Sequence, residues 1–435
     1  MADNLEDEYF EVIMDPRIGA DTSSGSSSPT FSDSESNEGT AVPVVYDTGL
    51  PVSHNYLGEN LEELRGRTIF DDLSYQVLPL LQQPGVVLMP SQTLPLLVFN
   101  APTVEMLRNL TTTNGTFGLV CVSYFDTPEQ RMAMYGTTAE IYEYRDVVEQ
   151  EGFRMKAKGR QRFRIMETRR SEDGNLSGTV RILPEVVLPD SLHAIRQQSL
   201  DRYRGHPADL QLPLPLTSQH RLNRRRAMYQ RDAMMTAFPH WIHNLYNASS
   251  VAQQVRSQLS HLTLSSAPIR TKLPSDPVEL SFWVAQIMPF KDEEKIALLR
   301  VNSAIQRLRW EIKILQSCTM YCCRFCELDV ADPKDTFSMS LEGPKGTYVN
   351  PGGYLHEILT VLKAKGLRCI NIERTIENSW FPGYAWTIAE CRRCTAHMGW
   401  KFTASNHNLK PSKFWGICRS AIVTMLVAGD VIPKL

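Results

Sequence analysis

From about Tyr75 the chain is built of short apolar runs broken by Pro and Gly: QVLPLL, VVLMP, QTLPLLVF, FGLVCVSYF, GTTAEIYEY, FRMKAKGRQRFRIMETRR and VRILPEVVLP. Their length, spacing and β-branched content predict many short strands in a compact, barrel-like domain. Within Phe153–Ile165 two kinds of position alternate. Phe153, Met155, Ala157, Phe163 and Ile165 fall on one face, and Lys156, Lys158, Arg160, Arg162 and Arg164 on the other. The basic row reads as the solvated face of a half-buried antiparallel strand. Binding of a nucleic acid backbone is the alternative, but the row lacks the interleaved aromatics on which bases stack.

Over residues 191–316 the period lengthens and the chain reads as largely helical. Leu298, Val301, Ile305, Leu308, Ile312 and Leu315 recur at alternating steps of three and four, an amphipathic seam with heptad character. Asp292, ahead of Glu293-Glu294, stands where an N-cap and an acidic first turn belong. The segment MYQRDAMMTAFPHWIHNLYN carries Met and aromatic side chains at mixed spacing. Such a stripe is usually core, and it is also a common docking surface. Arg224-Arg225-Arg226 reads as a solvated corner.

The ends of the chain change the picture. Residues 1–45 are rich in Ser, Asp, Glu and Gly and hold few large apolar groups, so a disordered acidic tail is expected there. The SDSES run offers sites for phosphorylation. The first 42 residues hold ten acids and one base; the net charge of −2 therefore conceals a basic remainder. No stretch approaches the ~20 apolar residues that a membrane span needs. The N-terminus also lacks the basic-then-apolar order of a secretory signal. A reducing compartment is expected, with cytoplasmic and nuclear residence.

Eight of the nine cysteines lie at or after Cys318. Cys323-x-x-Cys326 and Cys391-x-x-Cys394 each put two thiolates on one knuckle, and two knuckles close the tetrahedral sulfur shell that Zn²⁺ favours. A redox dithiol is the alternative, but neither pair has a βαβ context. Cys322 is a rival ligand disfavoured by CxxC geometry, while Cys318, Cys369 and Cys418 read as small buried residues. Trp380, Trp386 and Trp400 are three of only seven tryptophans. They gather around the second knuckle with Phe381, Tyr384, Phe402, Phe414 and Trp415. Phe381, Phe414 and Trp415 read as core. Pro382-Gly383 favours a turn that swings Trp380 and Trp386 together, and Trp400-Lys-Phe402 puts two rings on one strand face. The result is a cage for a methylated cation or for a flat uncharged ring.

Two resemblances extend this reading. QVLPLLQQPGVVLMPSQTLPLLVF, GRQRFRI and LPSDPVELSFWVAQIMPFKDEEKIALL resemble the N-terminal substrate-binding domain of Lon proteases, over roughly 75–316. The GxxxxGK[ST] loop and the Ser–Lys dyad of the protease itself are missing. YVNPGGYLHE, NSWFPGYAW, CxxC and GWKFTA, in that order after such a domain, resemble the cereblon family of substrate receptors of cullin-RING ubiquitin ligases. The resemblance implies a multidomain α+β chain. Its parts would be a Lon N-terminal-like β-rich domain (75–316) with a helical bundle near 191–290, an all-β zinc-stapled β-tent (CULT) domain over 317–425, and a tail at 426–435. It implies one structural zinc at Cys323, Cys326, Cys391 and Cys394. It also implies a box for cyclic imides, either glutarimide drugs of the thalidomide type or cyclised C-terminal Asn and Gln on proteins. Trp380, Trp386, Trp400 and Phe402 would form the box, with Asn378, Ser379, Tyr384, Asn350 and Pro351 around it. The helical bundle would dock a β-propeller DNA-damage-binding adaptor and, through it, cullin and RING subunits. No nucleic acid partner and no catalysis are expected.

Asn378 and Gly352 stand where many family members carry His, which touches contacts outside the imide ring. Two alternatives remain beside the receptor reading. One is a methyl-lysine reader, with Glu377 or Glu390 as the cage carboxylate. The other is an enzyme of the methionine sulfoxide reductase type, which needs a nucleophilic Cys that the strand GWKFTAS does not offer.

Overall fold

The apolar alternation of the first half closes on itself. A computed structural model describes residues 44–58, 60–66, 68–122, 132–147, 152–189, 192, 232–262, 273–370 and 374–426. After β1 (Val44–Val45) come β2 (Glu62–Glu63), β3 (Tyr75–Pro84), β4 (Thr93–Val98), β5 (Thr116–Val122), β6 (Tyr135–Val147), β7 (Gly152–Arg170) and β8 (Leu176–Ile182). Strands β2 to β8 build one sheet in the order β2-β6-β5-β3-β8-β7-β4, and an extra β6–β7 pairing closes β6-β5-β3-β8-β7 into a barrel. Phe163 fills the interior at 0% exposure. It fits because Gly118 and Gly136 face it: a Cβ on either would come within 2.9 and 2.7 Å of its Cζ.

The basic row of β7 departs from the expected solvated face. Lys156 is buried and bonds Glu143 at 2.7 Å, Arg160 bonds Glu140 at 2.6 Å, and buried Arg162 reaches Glu185 at 3.0 Å. Only Arg164 among the five stands fully exposed. The row is covered because the segments 53–57 and 183–185 lie across it and take its donors with their carbonyls. The alternation was readable, but what covers the polar face depends on contacts up to 140 residues away.

The helical stretch is confirmed over its described parts, His240–Leu245, Ala248–Leu262, Pro277–Ile287, Asp292–Arg300 and Ala304–Ser317. The seam from Leu298 to Leu315 is two helices rather than one, broken over Val301–Ser303. The N-cap position of Asp292–Arg300 belongs to Lys291, whose backbone N–H donates to Glu294 at 2.8 Å. Asp292 is drawn away to a salt bridge with Arg419 at 2.6 Å. The expectations for the acidic tail, for SDSES, for Arg224–Arg226, for residues 191, 193–231 and 263–272 of the helical bundle and for residues 427–435 of the C-terminal tail lie outside the described residues. Residues 43–435 cluster as one unit.

Among the described residues the regular elements of the second half are short 3-10 turns and strands. In order these are β9 (Cys318–Cys323), β10 (Asp329–Ala331), β11 (Lys345–Val349), β12 (Leu355–Val361), β13 (Leu367–Cys369), β14 (Tyr384–Cys391), β15 (His397–Ala404), β16 (Leu409–Lys410), β17 (Lys413–Cys418) and β18 (Ile422–Leu426). A six-stranded antiparallel sheet, β11-β12-β17-β15-β14-β13, packs with a three-stranded one, β10-β9-β18, around a single core.

The two halves meet through buried polar groups. The Trp283 indole donates to the Glu342 carbonyl at 2.9 Å, and Gln92 donates to Thr347 at 3.0 Å. Glu357 of β12 accepts from Lys295 at 2.6 Å and from Arg419, and Lys345 Nζ lies 3.0 Å from the same carboxylate. Arg419 continues to the carbonyls of Phe290 and Gly85.

A four-sulfur knot and a tryptophan box

The two knuckles are built alike. In each, the residue after the second cysteine turns into the left-handed region, Glu327 at φ 58° and Thr395 at φ 61°. The N–H of Glu327 donates to Cys323 and that of Thr395 to Cys391, at 2.8 and 3.0 Å. The N–H of Cys323 donates to Leu328 and that of Cys391 to Ala396, again in parallel. The first knuckle joins β9 to β10 and the second joins β14 to β15, so bringing them together ties the two sheets.

All four Sγ atoms lie within 4.8 Å of one another, with Cys323–Cys394 at 3.7 Å and Cys326–Cys391 at 3.5 Å. Four sulfurs at ~2.3 Å from a tetrahedral ion stand ~3.8 Å apart, whereas a disulfide needs ~2.05 Å. The site has metal-binding dimensions. Burial opposes the Cys391 thiolate, but the backbone N–H groups of Cys394 and Arg393 lead the effects that bring its pKa down to about 7. Cys322 points elsewhere, with Sγ 3.4 Å from Asp329. Cys418 is buried as expected, Cys318 is partly buried, and Cys369 is exposed on the edge strand β13, contrary to the buried reading.

The tryptophans converge from three directions. On β14 and β15, Trp386 pairs with Phe402 and Ile388 with Trp400, so all four share one sheet face. Gly399 makes the close approach of β15 to β17 possible. Its φ is 132°, and a Cβ there would lie 2.1 Å from the Gly416 carbonyl. The segment before Trp380 runs antiparallel to β14 at the Thr375–Trp386 bridge. It then turns through Asn378 at φ 53°, a conformation Asn tolerates better than most residues. This brings Trp380 back over the sheet, 4.8 Å from Trp400 at an interplanar angle of 79°. Two of the indoles are pinned: Trp386 donates to Glu377 O at 2.9 Å and Trp380 to Val349 O at 3.1 Å. Among the described residues no hydrogen bond uses the Trp380 backbone N–H or the Asn378 backbone carbonyl. A donor and an acceptor are therefore left free beside the aromatic walls.

Other expected site residues take different places. Phe402 is 1% exposed and packs at 4.8 Å on Phe381 and 5.0 Å on Phe414, as a floor beneath the rings. Tyr384 is fully buried, donates to Pro411 O and contacts Phe414 and Tyr46 rather than any tryptophan. Ser379 is spent on the turn, its Oγ bonding the Phe381 backbone. Asn350 and Pro351 form the β11–β12 hairpin, where Asn350 Oδ1 accepts from the Tyr354 N–H at 2.8 Å. Sequence reasoning missed three neighbours of the box, one of them His397, whose ring lies 4.8 Å from that of Trp400. Tyr348 stacks on Trp380 at 5.4 Å, and His356 lies 5.1 Å from Trp400. Tyr348 on β11 and His356 on β12 lie across β17 from the strand of Trp400, places set by pairings no local motif signals.

A barrel with appended helices, tied to a four-cysteine β domain, is the architecture of a Lon-type substrate-binding domain carrying a second module. Residues 77–317 match the family model of the ATP-dependent protease La (LON) substrate-binding domain. The whole chain belongs to the cereblon family. It is 44% identical to protein cereblon of Gallus gallus over 88% of this chain and 86% of that one. With protein cereblon of Danio rerio the identity is 41%, over 88% of this chain and 89% of that one. A solved Lon N-terminal domain protein from Xanthomonas campestris matches at TM-score 0.31 and 18% identity, covering 54% of this chain and 95% of that one.

Proposed function

We propose that this protein is a non-catalytic substrate receptor of a cullin-RING ubiquitin ligase, and that Trp380, Trp386 and Trp400 enclose a cyclic imide. The observation that carries the reading is the free backbone N–H of Trp380 and the free backbone carbonyl of Asn378 beside perpendicular aromatic walls. An imide edge offers one N–H between two carbonyls, so it matches a backbone donor and acceptor without any charge. A methyl-lysine reader would want a free carboxylate. Glu390 is held by Arg368 at 3.0 Å, which leaves only the exposed Glu377 for that role. A methionine sulfoxide reductase needs an activated thiol at the rings, whereas burial pushes the nearby Cys418 up to about 12.

The four sulfurs would hold one Zn²⁺, which supplies cross-linking rather than chemistry. Met234, Met235, Phe238, Trp241 and Tyr246 are all more than half exposed, which suits adaptor docking better than core. The β-propeller adaptor, reached in cytoplasm and nucleus, would bring the cullin and RING subunits to imide-bearing substrate proteins. Trp241→Asp together with Met235→Asp is expected to abolish co-purification of the adaptor and cullin from cells while leaving imide binding intact. Undiminished co-purification would refute this docking face.

Isothermal titration with a glutarimide tests the box. Trp386→Ala removes one wall of an enclosed ring and is expected to weaken binding by about 30-fold or more, on the scale of an aromatic hot spot of ~2 kcal/mol. Equal binding by the variant, or preference of the wild type for a trimethyl-lysine peptide, would sink the reading.

A further inference from the structure

The wall formed by Trp380 is held from outside its own domain. Its indole N–H donates to the Val349 carbonyl, and its ring stacks on Tyr348 at an interplanar angle of 17°. Both supports sit at the end of β11, the edge strand of the six-stranded sheet. An edge N–H needs a partner when it is covered. Here the Val349 N–H donates to the Tyr56 hydroxyl at 3.3 Å, and that hydroxyl lies 2.8 Å from His54 Nδ1.

With the Nε2–H tautomer of His54 the relay has a definite polarity. A phenol oxygen that accepts from Val349 has its own proton free to donate, and a neutral imidazole offers Nδ1 as acceptor. Burial, with the Lys156 ammonium adding to it, pushes His54 down to about 3, so the ring is neutral at physiological pH. His54 also lies 5.8 Å from the ring of Tyr348, the residue on which Trp380 stacks. The segment bearing both residues is clamped to the barrel. Lys156 donates to Ser53 O at 2.5 Å and Arg154 to Leu57 O at 3.0 Å. A hydrogen-bonded path thus runs from β7 of the barrel through Tyr56 and Val349 to the indole of Trp380.

We infer that Tyr56, supported by His54, is a positioning residue that fixes Trp380 from the segment preceding the barrel. This inference rests on the imide-box reading for its functional consequence, but not for its structural one. Losing the Tyr56 hydroxyl strands the buried Val349 N–H and frees the end of β11, loosening both the carbonyl and the ring that support Trp380.

The test uses the full chain labelled with ¹⁵N-tryptophan, with Tyr56→Phe and His54→Phe as variants. Tyr56→Phe keeps the ring and its packing. It is expected to shift and broaden the Trp380 indole N–H resonance, leave the Trp386 indole unchanged, and weaken glutarimide binding by about three- to tenfold. Metal content and melting midpoint should stay at wild-type values. His54→Phe should move the same resonance to a smaller extent. An unchanged Trp380 resonance in a folded Tyr56→Phe protein overturns the inference. So does an equal shift of all the box indoles, which marks general loosening. Absence of glutarimide binding by the wild type defeats the box reading instead, and the indole resonances then decide the positioning claim alone.

Discussion

Replacing Cys391 by Ser is expected to unfold the C-terminal β domain rather than to trim its stability. The two sheets of that domain have separate hydrogen-bond ladders, and the sulfur knot joins the β9–β10 knuckle to the β14–β15 knuckle. Cys323 and Cys391 are fully buried within the same core as Phe381, Phe402 and Phe414. A structural Zn²⁺ bound by four thiolates contributes folding free energy of about 10 kcal/mol. That is comparable with the whole stability of an ordinary domain, ~5–15 kcal/mol. Titrating the full chain with a strong chelator should therefore remove the near-ultraviolet signal of the clustered tryptophans and abolish imide binding together. The Cys391→Ser protein should resemble the chelated wild type. If metal analysis confirms the ion is gone and the tryptophan signal still melts at its original midpoint, the knot is dispensable and the metal reading fails. Cys322→Ser is the matched control and should be close to neutral, since that thiol turns away from the knot and lies 3.4 Å from Asp329.

How much of this was legible depends on how local each feature is. The CxxC pairs announced themselves because ligand spacing is a property of four consecutive residues, and the structure brings all four sulfurs together. The tryptophans were legible as a cluster, and period-two geometry correctly put Trp400 and Phe402 on one face. Their roles were less so. Phe402 and Tyr384 lie among core rings, whereas Tyr348 and His356, across β17 from the strand of Trp400, face the tryptophans. The barrel was readable as strand texture; its closure by β6–β7 pairing was not, because register is set across strands. The basic row shows the same limit from the other side. Alternation placed five cations on one face, but Glu143, Glu140 and Glu185 and two crossing segments decided that the face would be buried. Asp292 was misread for an equivalent reason. A partner 127 residues away outcompeted the local cap.

That partner belongs to the second large effect, which concerns charge buried between the halves. Among the described residues, Lys295, Lys345 and Arg419 form their ion pairs with two carboxylates, Glu357 and Asp292, and all but Asp292 are buried. Burial drives the Lys345 ammonium well below its usual range, although Glu357 opposes this. Its Nζ is close to Glu357 but makes no directed hydrogen bond. Desolvation alone would raise the pKa of Glu357, but Lys295, Lys345 and Arg419 outweigh it and hold the carboxyl well below the usual carboxylate range. A carboxyl depressed in the folded state stabilises the fold above its unfolded value, ~4.3, and that contribution drains away as pH falls through the folded one. Glu357→Gln removes the contribution at every pH and leaves three cations without their shared partner. It is expected to destabilise by about 3–5 kcal/mol, as breaking a buried ion pair does, and to flatten the acid limb of the stability profile. Lys345→Met should behave oppositely. With a depressed folded pKa, this lysine penalises the fold wherever the unfolded chain would carry the proton, so its removal is expected to be neutral or stabilising. Denaturant melts of the two variants between pH 3 and pH 8 (about five units spanning the carboxylate range) separate the outcomes. Equal losses from both substitutions would mean that the cluster acts through packing alone and that its charge balance plays no part.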